Sequence, residues 1–106
     1  MKTSKIQEMI RGWFIGNFSP TVWKTEDFEV AIQRYKAGDT ETPHIHRVAT
    51  EINVVTEGAI EMNGKAFMVD DIVIIEPGEK AHFKALTDAA VVVVKVPSLI
   101  GDKYTE

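Results

Sequence analysis

The sequence predicts an all-β domain, a small barrel or sandwich, on three observations. Short runs rich in β-branched and aromatic residues follow one another from Phe28 onward. Turn signals separate them at roughly ten-residue spacing, the pattern of β sandwiches and barrels. And one junction, Asn63-Gly64, is a pair that favours a type I′ hairpin turn, in which both central residues take positive φ.

The runs read in order as about eight strands. Phe28 to Tyr35 alternates, with Phe28, Val30 and Ile32 on one face and Glu29, Ala31, Gln33 and Tyr35 on the other. Gly38-Asp39 marks a turn. Pro43 holds Thr42 extended and leads into a strand over His44, Ile45 and His46. Glu51 to Thr56 is a further strand, closed by Glu57-Gly58. Ala59 to Met62 and Lys65 to Val69 flank the Asn-Gly turn. Ile72 to Ile75, the Pro77-Gly78 turn, Ala81 to Ala85 and Ala90 to Val96 complete the series. Residues 1–27 form a separate N-terminal segment that packs on the barrel of residues 28–106 or on a partner. Ile6, Met9, Ile10 and Trp13 fit a helical stripe, with Ser4 to Gln7 as a capping box and Gly12 as the stop; a strand laid across the barrel is the other reading.

Composition narrows the function. A chain of 106 residues is about one domain, with 44% hydrophobic and 26% charged residues, enough for a real core. The longest apolar run, Ala89 to Val94, lies between Asp88 and Lys95 and falls short of the roughly 20 residues of a membrane helix. Lys2 and Lys5 are followed by no apolar signal core, so a cytoplasmic location is expected. There is no cysteine, hence no disulfide and no thiolate ligand or nucleophile. A formal net charge of −4 with scattered basic residues argues against nucleic-acid binding. The expected partner is a small molecule.

The three histidines carry the most information. His44 and His46 stand at i and i+2, so in a strand both imidazoles aim to one face. Arg47 to Thr50 is long enough for a tight reversal, after which Glu51 enters the neighbouring strand beside them. His82 arrives from a third strand after the Pro77-Gly78 turn. Neutral imidazoles with a carboxylate suit Fe, Mn, Ni, Co, Cu or Zn and leave positions for water or substrate. The bland alternative is ordinary surface or core histidines with no metal.

At these residues the chain resembles the cupin superfamily. Gly38-x5-His44-x-His46-x4-Glu51-x6-Gly58 matches the first cupin motif at every defining position. The second motif, G-x5-P-x-G-x2-H-x3-N, is matched in part. Pro77 and His82 keep their spacing, Asp71 stands for the first glycine, Gly78 comes one place early, and Leu86 replaces the asparagine. The resemblance spans about Phe28 to Val96. It implies a small double-stranded β-helix (jelly-roll) barrel, commonly dimeric, with His44, His46, Glu51 and His82 as ligands to one divalent transition metal ion. Without His82, two histidines and a carboxylate still make a workable site. Trp13 to Phe18, Val94 to Ser98 and Gly101 to Tyr104 are similar to segments of short single-domain cupins, a likeness that adds no chemistry.

If Glu51 faces inward, so do Asn53 and Val55, and Asn53 becomes a contact to the metal-binding carboxylate or to substrate. Gln33 and Tyr35 are further pocket candidates, and Trp13, Phe14, Phe18 and Trp23 make an aromatic entry to the domain. Ile52 and Val54 then face outward, as does one side of Val91 to Val94, so the outer surface needs a cover; a homodimer supplies one. Two functions fit. The first is a metal-dependent enzyme of oxygenase, sugar isomerase or epimerase, or lyase type, as the resemblance implies. The second is a non-catalytic barrel that binds a sugar-like ligand with a structural metal or none.

Overall fold

The computed structural model describes residues 1–105. Among them are ten strands: β1 (Trp13–Ile15), β2 (Glu29–Tyr35), β3 (His44–Ile45), β4 (Thr50–Glu57), β5 (Ala59–Met62), β6 (Lys65–Met68), β7 (Ile72–Ile75), β8 (Lys80–Ala81), β9 (Phe83–Ala85) and β10 (Ala89–Val96). A five-stranded sheet in the order β1-β2-β10-β4-β7 forms one wall of the barrel. The other wall is made by the pair β3-β8 and the three-stranded sheet β6-β5-β9. Every named pairing is antiparallel. No helix among the described residues is long and apolar enough to cross a membrane.

Alternation decides what the barrel holds. On β4, Glu51, Asn53 and Val55 are buried while Ile52 and Val54 are only half-buried, because successive side chains leave a strand on opposite faces. Inward residues of both walls make the core, with Val55, Ile60 and Val91 fully buried among Met62, Ile75, Phe83 and Val93. The Asn63-Gly64 turn forms as expected, with φ of 51° and 81°, and pairs β5 to β6 from Ala59↔Met68 to Met62↔Lys65.

The register also organises the outer face of the large sheet. Ile32, Val92, Val54 and Ile72 lie in one cross-strand row, and Val30, Val94, Ile52 and Ile74 in the next. Eight aliphatic side chains thus cover four adjacent strands, and Ile72 and Ile74 remain 61% and 53% exposed.

The N-terminal segment differs from a helix. Only Ile6–Glu8 winds, as a single 3-10 turn, and Trp13–Ile15 extends the large sheet at its edge. Gly12 explains the strand. At φ +80° its carbonyl accepts a hydrogen bond from Ile32 N at 3.1 Å, and a Cβ there would run into the Ile32 carbonyl oxygen. The glycine permits close backbone approach to β2 instead of ending a helix.

Candidate metal centre

Strand β3 and the head of β4 bring three ligand-type side chains together inside the barrel. One ligand atom each from His44, His46 and Glu51 lies within 4.8 Å of the others. All three residues are buried, at 7%, 4% and 7% exposure. The imidazole rings meet edge to face, with centroids 4.9 Å apart. His44 Nδ1 lies 3.2 Å from the Thr42 carbonyl, which accepts its proton and leaves Nε2 with a free lone pair. His46 Nδ1 is 3.9 Å from Glu51 Oε1. His46 Nε2 is buried with no hydrogen-bond partner.

That orphaned nitrogen is the test of fit for a metal ion. A buried polar atom without a partner costs roughly 1–3 kcal/mol, so it calls for an occupant. Burial, and then the nearby Lys95 ammonium, push the His46 imidazole down to about 4, so the ring is neutral and able to ligate. The donor set, two imidazoles and one carboxylate, is that of divalent transition metals. The residues fit the ion.

Neighbouring side chains fix this group. Asn53 Nδ2 donates to Glu51 Oε2 at 3.0 Å, which orients the carboxylate. The turn between the ligands is held by the C-terminal tail. Asp102, buried, accepts hydrogen bonds from Arg47 N at 3.0 Å, Val48 N at 3.1 Å and Ala49 N at 2.8 Å. Burial pushes the Asp102 carboxyl up, but these three bonds outweigh it and hold the group below its ordinary value. Tyr104 pairs with the backbone of Ile45 in both directions, and the Arg47 guanidinium covers its ring at 4.0 Å.

His82 does not join the group. It is exposed, because alternation buries Ala81 and Phe83 on either side of it. Ala81 is the residue paired directly across from His44. With Gly78 one place early, the Pro77-Gly78 turn delivers β8 in a register that faces Ala81 inward, and a one-residue change of register exchanges the two faces. The expectation that His82 is a ligand is corrected on this ground. Its backbone serves instead to hold the hairpin, donating to Asn63 Oδ1 at 2.7 Å.

The ligand group opens on a cavity of about 420 Å³, within the range of small-molecule sites. Gln33, Tyr35 and Asn53 are all in its wall. Gln33 Nε2 donates to the Arg11 carbonyl, and Tyr35 donates to Glu41 Oε1 at 3.2 Å. Burial and then the Glu41 carboxylate push the Tyr35 hydroxyl well above its ordinary value. Glu41 and Lys95 are among the wall residues that escaped sequence reasoning. Glu41 carries no local signal. Lys95 continues the inward series Val91, Val93 by two, a signal that alternation could have supplied. Trp13 and Phe18 also line the cavity, whereas Trp23 is 67% exposed.

No family model matches the chain, and no curated protein matches it. Solved structures do. An uncharacterized conserved protein with a double-stranded β-helix domain from Klebsiella pneumoniae is 21% identical, with a TM-score of 0.71 over 94% of this chain and 88% of the other. A sugar phosphate isomerase from a cupin superfamily, from Silicibacter pomeroyi, is 25% identical, with a TM-score of 0.58 over 66% and 50%. The bacterial pirin YhhW from Escherichia coli, in complex with nickel(II), is 15% identical, with a TM-score of 0.68 over 83% and 39%. The antiparallel walls, the inward-facing histidines and these likenesses agree: the chain has the double-stranded β-helix fold that cupin structures share.

Proposed function

We propose that this chain is a metal-dependent enzyme acting on a small molecule, with one divalent ion held by His44, His46 and Glu51. The observation that carries the reading is the buried, unpartnered Nε2 of His46 beside two further ligand-type side chains. A bound ion of this kind supplies Lewis-acid polarisation of a substrate oxygen or, as iron, activation of O2. The chain's own residues do the rest. Asn53 holds Glu51 in orientation, the Thr42 carbonyl sets the His44 tautomer, and the Asp102 clamp fixes the turn between ligands. In the cavity wall, Tyr35 donates its hydroxyl to Glu41, and the oxygens of the pair offer acceptors to substrate hydroxyls. Oxygenase, isomerase or epimerase, and lyase chemistry all suit such a site. Structural neighbours named as a sugar phosphate isomerase and as a nickel(II) complex support an enzyme and a metal on this fold. The aliphatic rows on the outer face support a homodimer, in which a second copy covers Ile72 and Ile74.

Elemental analysis of tag-free protein, beside the double variant His44→Ala/His46→Ala, tests the proposal. The expected result is about one equivalent of metal in the wild type and none in the variant, with the barrel still folded by its apolar strands. Full metal content in the variant refutes the ligand assignment. A wild-type protein that takes up no metal leaves the non-catalytic binding barrel as the reading.

A further inference from the structure

Lys95 is a half-buried cation in the cavity wall that makes no ion pair among the described residues. On the inner face of the large sheet it pairs directly with Glu29 on β2 and with Glu51 on β4, forming a Glu-Lys-Glu row. Residues so placed have Cβ atoms about 5 Å apart, close enough for ion pairs. Yet no ion pair to Lys95 forms among the described residues. The carboxylates have other donors. Glu29 accepts from Ser98 Oγ at 2.8 Å, Glu51 from Asn53, and Glu41 from Tyr35. The ammonium instead lies 4.9 Å from the centroid of the Trp13 ring, half-buried in the cavity wall. A π face satisfies the charge in part but accepts none of its three N–H bonds in the usual way.

We propose that Lys95 is the anion-binding group of this cavity, and that the small molecule bound there carries a carboxylate seated between Lys95 and the ion. The inference rests on the metal reading above. The position follows from the register: Lys95 is one strand removed from Glu51, so an anion bridging the two sites needs to span little more than one strand spacing, about 4.8 Å. The chemical class follows from the charge. One ammonium and no buried guanidinium face the cavity, since Arg11 and Lys103 are exposed at its rim. A single positive charge flanked by Glu29 and Glu41 suits a monoanionic carboxylate and disfavours a phosphate dianion.

The test is a titration of Co(II)-loaded protein with glycolate, followed by the cobalt absorption spectrum and by Trp13 fluorescence in a Trp23→Phe background. Ethylene glycol and inorganic phosphate serve as the neutral and dianionic counterparts. Wild-type protein is expected to bind glycolate in preference to both. Lys95→Met, saturated with Co(II), is expected to weaken glycolate about 10- to 100-fold, the scale of a charged hydrogen bond. Lys95→Arg should restore most of it, and Lys95→Gln provides a second neutral variant whose fold is checked by circular dichroism. Equal glycolate binding by wild type and both neutral variants, with Co(II) bound, overturns this inference alone. Tighter binding of phosphate than of glycolate overturns the carboxylate class. Failure of the wild type to bind Co(II) overturns the metal reading and this inference with it.

Discussion

Removal of the Asp102 carboxylate should loosen the metal-ligand turn and lower the stability of the whole domain. Its three hydrogen-bond donors, the backbone N–H groups of Arg47, Val48 and Ala49, all lie between His46 and Glu51. In Asp102→Ala, Arg47 and Val48 are exposed and exchange the carboxylate for water, a loss of about 0.5 kcal/mol each. Ala49 is 3% exposed, so its N–H is left buried and unpaired at a cost of about 1–3 kcal/mol. The total is about 2–4 kcal/mol, which for a domain of this size lowers the melting temperature by roughly 10–25 °C. Metal affinity should fall about 10- to 100-fold, as it does when a residue supporting a ligand is lost. Scanning calorimetry and Co(II) titration measure the two effects. A variant that melts within about 2 °C of wild type and binds Co(II) within about three-fold would show that the tail does not hold the turn.

The same carboxylate gives a pH dependence. Its folded value is held below 3.8, so its contribution is complete above that pH and fades below it as the unfolded chain takes up the proton first. The stability gap between wild type and Asp102→Ala, followed by urea denaturation, should therefore be constant near neutrality and narrow on acidification past 3.8; a gap that widens in acid would contradict the assignment. Asn53→Ala removes the donor to Glu51 Oε2 and should weaken Co(II) binding about ten-fold by calorimetry while the protein stays folded. On the outer face, Val54→Lys with Ile74→Lys puts charge into both aliphatic rows. By light scattering, a wild-type dimer should become a monomer of about 11.9 kDa, and an unchanged mass would place the dimer contact elsewhere.

Local chemistry made much of the fold legible. Asn63-Gly64 announces its turn, and the alternation of Glu51, Asn53 and Val55 follows from a period of two that any half-buried strand obeys. The pair His44, His46 is equally local. What escaped depends on register or on distant contacts. The 3.6-residue stripe of Ile6, Met9, Ile10 and Trp13 left helix and strand both open, and the edge of β2, with backbone partners that the isolated segment lacks, decides for a strand at Trp13–Ile15. His82 was misplaced because the face of a strand after a turn depends on the turn's own geometry. Asp102 is invisible to any window, since its partners lie 53 to 55 residues away.

The Pro77-Gly78 turn has a consequence for how such barrels diverge. Ala81 faces His44 across β3 and β8, and His82, one position on, faces solvent. Lengthening or shortening that turn by a single residue would swap the two, bringing an imidazole into the barrel without altering any ligand. The number of ligand-type side chains gathered inside the barrel is thus governed by the length of a surface loop. Insertions and deletions there, which cost little stability, give evolution a way to move between fuller and sparser coordination while the core and the remaining ligands stay as they are.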